Sequence, residues 1–207
     1  MDKATLKIYK KEQNQLEKWR TQSAKGDQAA LYNMGVYYMY GYGVPQDETE
    51  GLRLIRQAAE NGYPEAQNCM GDFYGNTPGE ANYPQALEWW NKAAAQNEPY
   101  SQFKIGQCYE YGWNVPQSDT TAVYWYRLSA EQGVSDAQFA LSNCYLEGKG
   151  VPVDNQEALF WILLSFPNGW NEGYPTIENV ASKLTINKRK VVEANARKWL
   201  KSHKKRT

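Results

Sequence analysis

The stretch Ala30-Leu-Tyr-Asn-Met34-Gly35-Val-Tyr-Tyr38-Met-Tyr-Gly41-Tyr-Gly-Val-Pro45-Gln-Asp47-Glu-Thr-Glu50 decides the fold. Ala30, Met34 and Tyr38 recur at the spacing of one helix face, with Gly35 beside them. Gly41, Gly43 and Pro45 then stop that helix, because proline cannot donate to a helical carbonyl and glycine takes the left-handed turn. Asp47 opens the next helix as an N-cap, and Glu50 stands three residues on, where it completes a reciprocal capping box. The segment therefore predicts helix, Gly/Pro turn, helix.

The same order recurs along the chain. Met70-Gly71 with Tyr74, Ile105-Gly106 with Tyr109, and Leu141-Ser142 with Tyr145 place the anchor at 35, 71, 106 and 142, intervals of 36, 35 and 36 residues. A small residue precedes each anchor (Ala30, Ala66, Ser101, Ala137), as close helix packing requires. Two further turns, Gly112 to Pro116 and Gly148 to Pro152, nearly copy the first, while Gly75-Asn-Thr-Pro-Gly79 is a shorter variant. Asn82, Ser118 and Asp154 occupy the capping place, with Gln85, Thr121 and Glu157 three residues later. The second helices carry an apolar stripe through Leu54, Trp89, Trp125 and Trp161, continuing to Ala59, Ala94, Ala130 and Phe166. Gly62, Asn97, Gly133 and Gly169 then end them. One such hairpin cannot bury its stripe alone, so four must stack as an all-α solenoid of antiparallel helix hairpins.

The ends need covers. Residues 3 to 24 are predicted as a leading helix with Leu6, Tyr9, Leu16 and Trp19 on one face, closed by Gly26. Beyond Pro167 and the Gly-rich stretch Gly169 to Pro175, helices are predicted over Thr176 to Leu184 and Asn187 to Ser202. On the last of these, Val191, Val192, Ala194, Ala196, Trp199 and Leu200 form the docking face.

Charge and composition narrow the function. The 207 residues hold 23 basic and 23 acidic side chains, but the zero is unevenly spread. Residues 1 to 25 carry seven basic and three acidic groups (net +4), and residues 183 to 207 carry ten and one (net +9). The middle, 26 to 182, carries six and nineteen, a net of −13. Hydrophobic residues at 42% support a packed core, and the longest apolar run, Ala158 to Leu164, is too short to span a bilayer. The N-terminus has no apolar stretch of signal-peptide type, so the expected location is cytoplasmic. The single His203 lies near the end of the chain, which removes His-based relays and zinc sites of the His-rich type. Cys69, Cys108 and Cys144 form no C-x-x-C pair and are expected to be reduced. The glycine strings match neither a dinucleotide fingerprint nor a P-loop. No cofactor and no metal site is expected.

The repeated pattern A-x-x-x-[LMI]-G-x-x-Y-x-x-G-x-G-V-P, a capping Asp, then A-x-x-W and A-E-x-G, resembles the Sel1-like repeat, a relative of the tetratricopeptide repeat. The resemblance covers residues 27 to 170 as four units, 27 to 62, 63 to 98, 99 to 134 and 135 to 170. Residues 1 to 26 then form a leading helix or degenerate repeat, and 171 to 207 form capping helices with a basic tail. Departures are the short second turn, Ser142 in place of the anchor Gly, and Leu163-Leu164-Ser165-Phe166 where Ala is usual. Disulfide staples of the cysteine-rich branch are absent, since all three cysteines fall in first helices.

The resemblance implies a non-enzymatic, protein-binding scaffold. By analogy with the tetratricopeptide superhelix, the first helices line a concave face, with partner contacts from Tyr32, Val36 and Tyr40, from Asn68 and Asp72, from Phe103, Gln107 and Tyr111, and from Phe139, Asn143 and Glu147. Phe103 and Phe139 are equally readable as core. Tyr38, Tyr74, Tyr109 and Tyr145 read as structural. Lys104 is the one Lys on the first helices, which speaks against a carboxylate clamp. The −13 of the repeats favours a cationic protein partner over nucleic acid, although acids also serve simply to solvate helix surfaces. A bacterial immunity protein neutralising a basic effector is the sharper form of that expectation. The basic run Lys201-Ser-His-Lys-Lys-Arg206 is a lesser candidate for nucleic acid or anionic lipid, and reads equally as a solvated tail. The competing class is an enzyme of the β-lactam-binding type seen in cysteine-rich relatives, for which Ser101-Gln-Phe-Lys104 formally supplies a Ser-x-x-Lys; its place inside a registered helix argues against that use.

Overall fold

A computed structural model describes residues 2–76, 82–166 and 175–203 of the chain. All regular structure among these residues is helical, and the chain divides into two compact units, Met1–Glu98 and Pro99–Thr207. The first unit contains α1 (Lys3–Ser23), α2 (Gln28–Tyr40), α3 (Glu48–Glu60), α4 (Pro64–Asn76) and α5 (Tyr83–Ala94). The second contains α6 (Pro99–Tyr111), α7 (Asp119–Glu131), α8 (Ser135–Glu147), α9 (Asn155–Leu164), α10 (Pro175–Ala181) and α11 (Ile186–His203). Within each unit successive helices pack on one another, and α9 carries both α10 and α11.

Every second helix starts where the sequence places its cap. Asp47, Asn82, Ser118 and Asp154 accept from the amides of Glu50, Gln85, Thr121 and Glu157. The reciprocal arm of the capping box does not form. Glu50 pairs instead with Arg53, and the Glu157 carboxylate accepts from the Trp161 indole. Each cap amide donates to a tyrosine carbonyl of the preceding helix, namely Tyr38, Tyr74, Tyr109 and Tyr145 at 2.8 to 3.0 Å. That bond ties the two helices of a hairpin together, so the tyrosine register has a backbone role as well as a packing one.

The anchors are where paired helices approach most closely. A Cβ on Gly35 would stand 2.8 Å from the Gly51 carbonyl and 2.7 Å from Ile55 Cγ1; on Gly71 it would enter the Trp90 ring, and on Gly106 the Tyr126 ring. Ser142 fits the fourth hairpin because its hydroxyl donates to the Ala158 carbonyl at 2.8 Å, converting the contact into a hydrogen bond. The side chains facing the anchors are thus Ile55, Trp90 and Tyr126, each one residue beyond the expected stripe in the second helix. Trp90 and Tyr126 are 2% and 1% exposed, whereas Trp89 and Trp125 are only half-buried. Leu54 and Trp161 do lie in the core.

Several local expectations shift for similar reasons. Gly75 belongs to α4, which runs to Asn76, and packs on Trp90; residues 77–81 lie outside the described residues, as do Pro167 and Gly169. Helix α9 stops at Leu164, leaving Phe166 packed on the core from outside the helix. Helix α10 ends at Ala181, short of Leu184. In α1, Leu16 is buried and Trp19 packs edge-on against Tyr37, but Leu6 is exposed. In α11, Val192 and Ala196 are buried while Val191 and Ala194 face out. Gly26, Gly62, Gly133 and Asn97 all have positive φ, as helix-ending residues should.

A feature missed in the sequence is a set of glutamines in register. Gln67, Gln102 and Gln138 are buried, and the amides of Gln67 and Gln138 donate to the Ala59 and Ala130 carbonyls of the preceding helix. Gln96 donates to Gln67, and Gln132 to Gln102, each at under 3 Å. The signal was their spacing, which matches the repeat. A polar residue at core depth is accepted because a neighbouring helix end supplies a carbonyl it can satisfy.

Candidate functional site

Helical spacing gathers one row of side chains on one face of α6 and another on one face of α8. On α6 these are Phe103, Gln107 and Glu110; on α8 they are Asp136, Phe139 and Asn143. They line a groove of about 470 Å³ within the second unit, with Tyr111 at its edge and Tyr126 beneath. Phe103 leans on the Tyr126 ring at a centroid distance of 5.6 Å and is half-buried, while Phe139 is 45% exposed. The alternative readings of these two rings therefore separate: Phe103 serves the core as well as the groove wall, and Phe139 stands open. Tyr111 is exposed and lies along Trp113, centroids 5.0 Å apart.

The electrostatic centre of the groove is Glu110. The Tyr126 hydroxyl donates to its carboxylate in a short hydrogen bond. Burial, the bond to Glu110 and its charge all push the Tyr126 hydroxyl far above the ordinary tyrosine range, so it remains a donor at every physiological pH. Glu110, Tyr126, Asp136, Lys104 and Ala140 are groove residues absent from the sequence-derived set. Glu110 could have been found. It occupies the repeat position that is Met39, Gly75 and Leu146 elsewhere, the one carboxylate in a column of non-ionisable residues.

The other expected contacts lie elsewhere. Glu147, at the end of α8, pairs with Lys149 at 2.6 Å. In the first unit, Tyr32 is half-buried against the Tyr63 ring, and burial, helped by nearby Cys69, pushes its hydroxyl up to about 12. Val36 packs on the Ile55 and Met70 cluster. Tyr40 is 63% exposed beside Tyr42, and Asn68 and Asp72 are half-buried on α4. Ser101 is completely buried at a helix crossing, out of reach of any substrate, so its Ser-x-x-Lys spacing is a packing arrangement. The three cysteines are free thiols that burial pushes up to about 11, which leaves them protonated and inert. Among the described residues no group of His, Cys, Asp and Glu side chains could hold a metal, and no helix is long and apolar enough to cross a membrane.

The Sel1 repeat family model matches residues 28–63, 64–98, 99–134 and 135–165. The chain belongs to the Sel1 repeat family. Among solved structures, a Sel1 repeat protein from Oxalobacter formigenes is similar with a TM-score of 0.69 and 27% identity, over 90% of this chain and 74% of that one. The immunity protein Pa5087 from Pseudomonas aeruginosa shares the fold, with a TM-score of 0.56 and 15% identity over 97% and 83%. An uncharacterised protein of Neisseria meningitidis serogroup B is 30% identical over 106 residues, 51% of this chain and 22% of that protein. The chain thus spans less than a quarter of the curated relatives it matches. The Sel1 fold is an α-solenoid of helix hairpins, generally a non-enzymatic scaffold for protein interactions.

Proposed function

We propose that this Sel1 repeat protein is a non-enzymatic adaptor whose α6–α8 groove takes a cationic segment of a partner protein. The observation that carries this reading is the groove itself. It joins Glu110, held in place by Tyr126, with Asp136, the open Phe139 ring and the amides Gln107 and Asn143. Carboxylates next to exposed aromatic faces suit Lys or Arg side chains, through charge and through cation–π attraction. Amides on neighbouring turns suit the backbone of an extended segment. The net −13 of residues 26 to 182 draws a basic surface toward this face.

The finer reading is a bacterial, cytoplasmic immunity protein that neutralises a basic effector. It is supported by the acidic repeats and is compatible with the fold shared with Pa5087. Tyr32, Val36, Tyr40, Asn68 and Asp72 of the first unit and Glu147 of the second belong to the same proposal as secondary contacts. The test is co-expression with the toxic product of a neighbouring gene, followed by co-purification. Protection should be lost with Glu110→Lys and weakened about tenfold with Phe139→Ala, a truncation typical of an interface hot spot. Full protection by Glu110→Lys, with folding intact, would sink the groove assignment.

A further inference from the structure

A second groove, of about 600 Å³, lies in the Pro99–Thr207 unit between α9 and α11. Its floor is apolar, built from Phe160 on α9 and from Val191, Val192 and Trp199 on α11. Val191 is 60% exposed and Trp199 half-buried, so apolar surface stays open to solvent here. The walls are fixed. The Trp199 ring stacks on His203 at a centroid distance of 3.5 Å, and Arg189 ties α11 to α10 through Glu178 while also bonding Glu193.

The edge of this groove is cationic. Lys198 lines it, Lys201 follows one turn later, and Lys188 sits two turns before the lining residue Asn195. Among the described residues none of these three lysines has an ion-pair partner. The one carboxylate in the lining, Glu157, accepts from the Trp161 indole at 3.0 Å. Lys188, Lys198 and Lys201 outnumber Glu157 around this groove, whereas the α6–α8 lining holds Glu110 and Asp136 against Lys104.

We propose that the α9–α11 groove docks an acidic amphipathic segment of a partner protein. Such a segment inserts an aliphatic or aromatic side chain between Phe160 and Trp199 while its carboxylates meet Lys188, Lys198 and Lys201. An apolar floor calls for an apolar anchor, and a row of unpaired lysines calls for acids on the same segment. The concave form between two helices suits a helix laid in a groove better than a flat lipid surface. Together with the acidic groove, it makes the second unit an adaptor with two faces of opposite preference.

The experiment selects a displayed library of random peptides of about 16 residues, the length of an ordinary groove-bound helix, on the full chain, with counter-selection on a Val191→Asp variant. Val191 is exposed, so this variant keeps its fold, which circular dichroism checks. Enriched sequences are expected to combine Asp or Glu with Leu, Phe or Trp at helical spacing. A synthetic peptide of that kind should bind about tenfold more weakly to a Lys198→Glu, Lys201→Glu chain, the size of a lost pair of interface charges, and equally well to Phe139→Ala. Enrichment of basic peptides, or no enrichment dependent on Val191, overturns the proposal. So does a Val191-dependent dimer in sedimentation, which assigns the groove to a second copy. Lysine-dependent binding to phosphatidylserine vesicles without peptide enrichment also overturns it, in favour of a membrane surface.

Discussion

In the α2–α3 hairpin, Met39 follows the register tyrosine and reaches across to Gly51, and Ile55 covers the anchor Gly35. In the α6–α7 hairpin the same two places hold Glu110 and Tyr126, joined by a hydrogen bond over Gly106. Both hairpins share turn geometry, N-cap and the tyrosine carbonyl bond. Among the side chains that differ, this pair replaces an apolar contact with a polar, acidic one. A repeat can thus take a carboxylate into its groove wall on the same turn and cap geometry, provided that carboxylate has a donor beneath it.

The largest expected effect tests the shared part of the comparison. Gly35→Ala should cost about 3 kcal/mol, because the new Cβ meets the Gly51 carbonyl, which cannot move without separating the helices. Gly106→Ala should cost about half as much, since its first contact is the Tyr126 ring and the nearest partner-helix backbone atom is 3.4 Å away. Urea midpoints measure both; equal losses would show that the two crossings are no different.

A smaller effect tests the differing part. Glu110→Met should destabilise by about 1 to 3 kcal/mol by leaving the Tyr126 hydroxyl without its acceptor. Combined with Tyr126→Ile, which restores the first repeat's pair, the total loss should be smaller than the sum of the single losses, as expected for contacting residues. Strict additivity in this double-mutant cycle would mean the pair is not coupled. Ser142→Gly should then cost about 1 kcal/mol through loss of the bond to the Ala158 carbonyl, making the fourth anchor like the others.

At neutral pH the smallest effect is at Tyr32, and it is read in alkaline titration. Tyr32 occupies the repeat place of Phe103 and Phe139, and burial raises its hydroxyl from 10 to about 12. The folded chain holds a proton that the unfolded chain releases, so this stabilisation is intact below pH 10 and is lost as pH rises from 10 toward 12. Tyr32→Phe should flatten that part of the alkaline stability curve, and an unchanged curve would count against the burial.

The hairpins were legible because their signals are local. Asp47, Asn82, Ser118 and Asp154 cap helices through their own following amides, and Gly62 and Asn97 end helices through their own φ. The groove was half legible. Analogy with the tetratricopeptide superhelix puts Phe103, Gln107, Tyr111, Phe139 and Asn143 on one face, and all five line the groove. The repeat column singles out Glu110, but its pairing with Tyr126 escaped because one lies in a first helix and the other in a second, and only the crossing brings them together.

The sequence by itself determined the repeat, its caps, its first, third and fourth turns and the placement of −13 between basic ends, since periodicity, propensity and charge are properties of the chain. Only the tertiary structure decided which aromatic covers each anchor glycine, where the cap amides donate, how Ser142 replaces glycine and where carboxylate meets tyrosine. Those outcomes depend on distances between helices, and packing fixes such distances through contacts distant in sequence that no local pattern encodes.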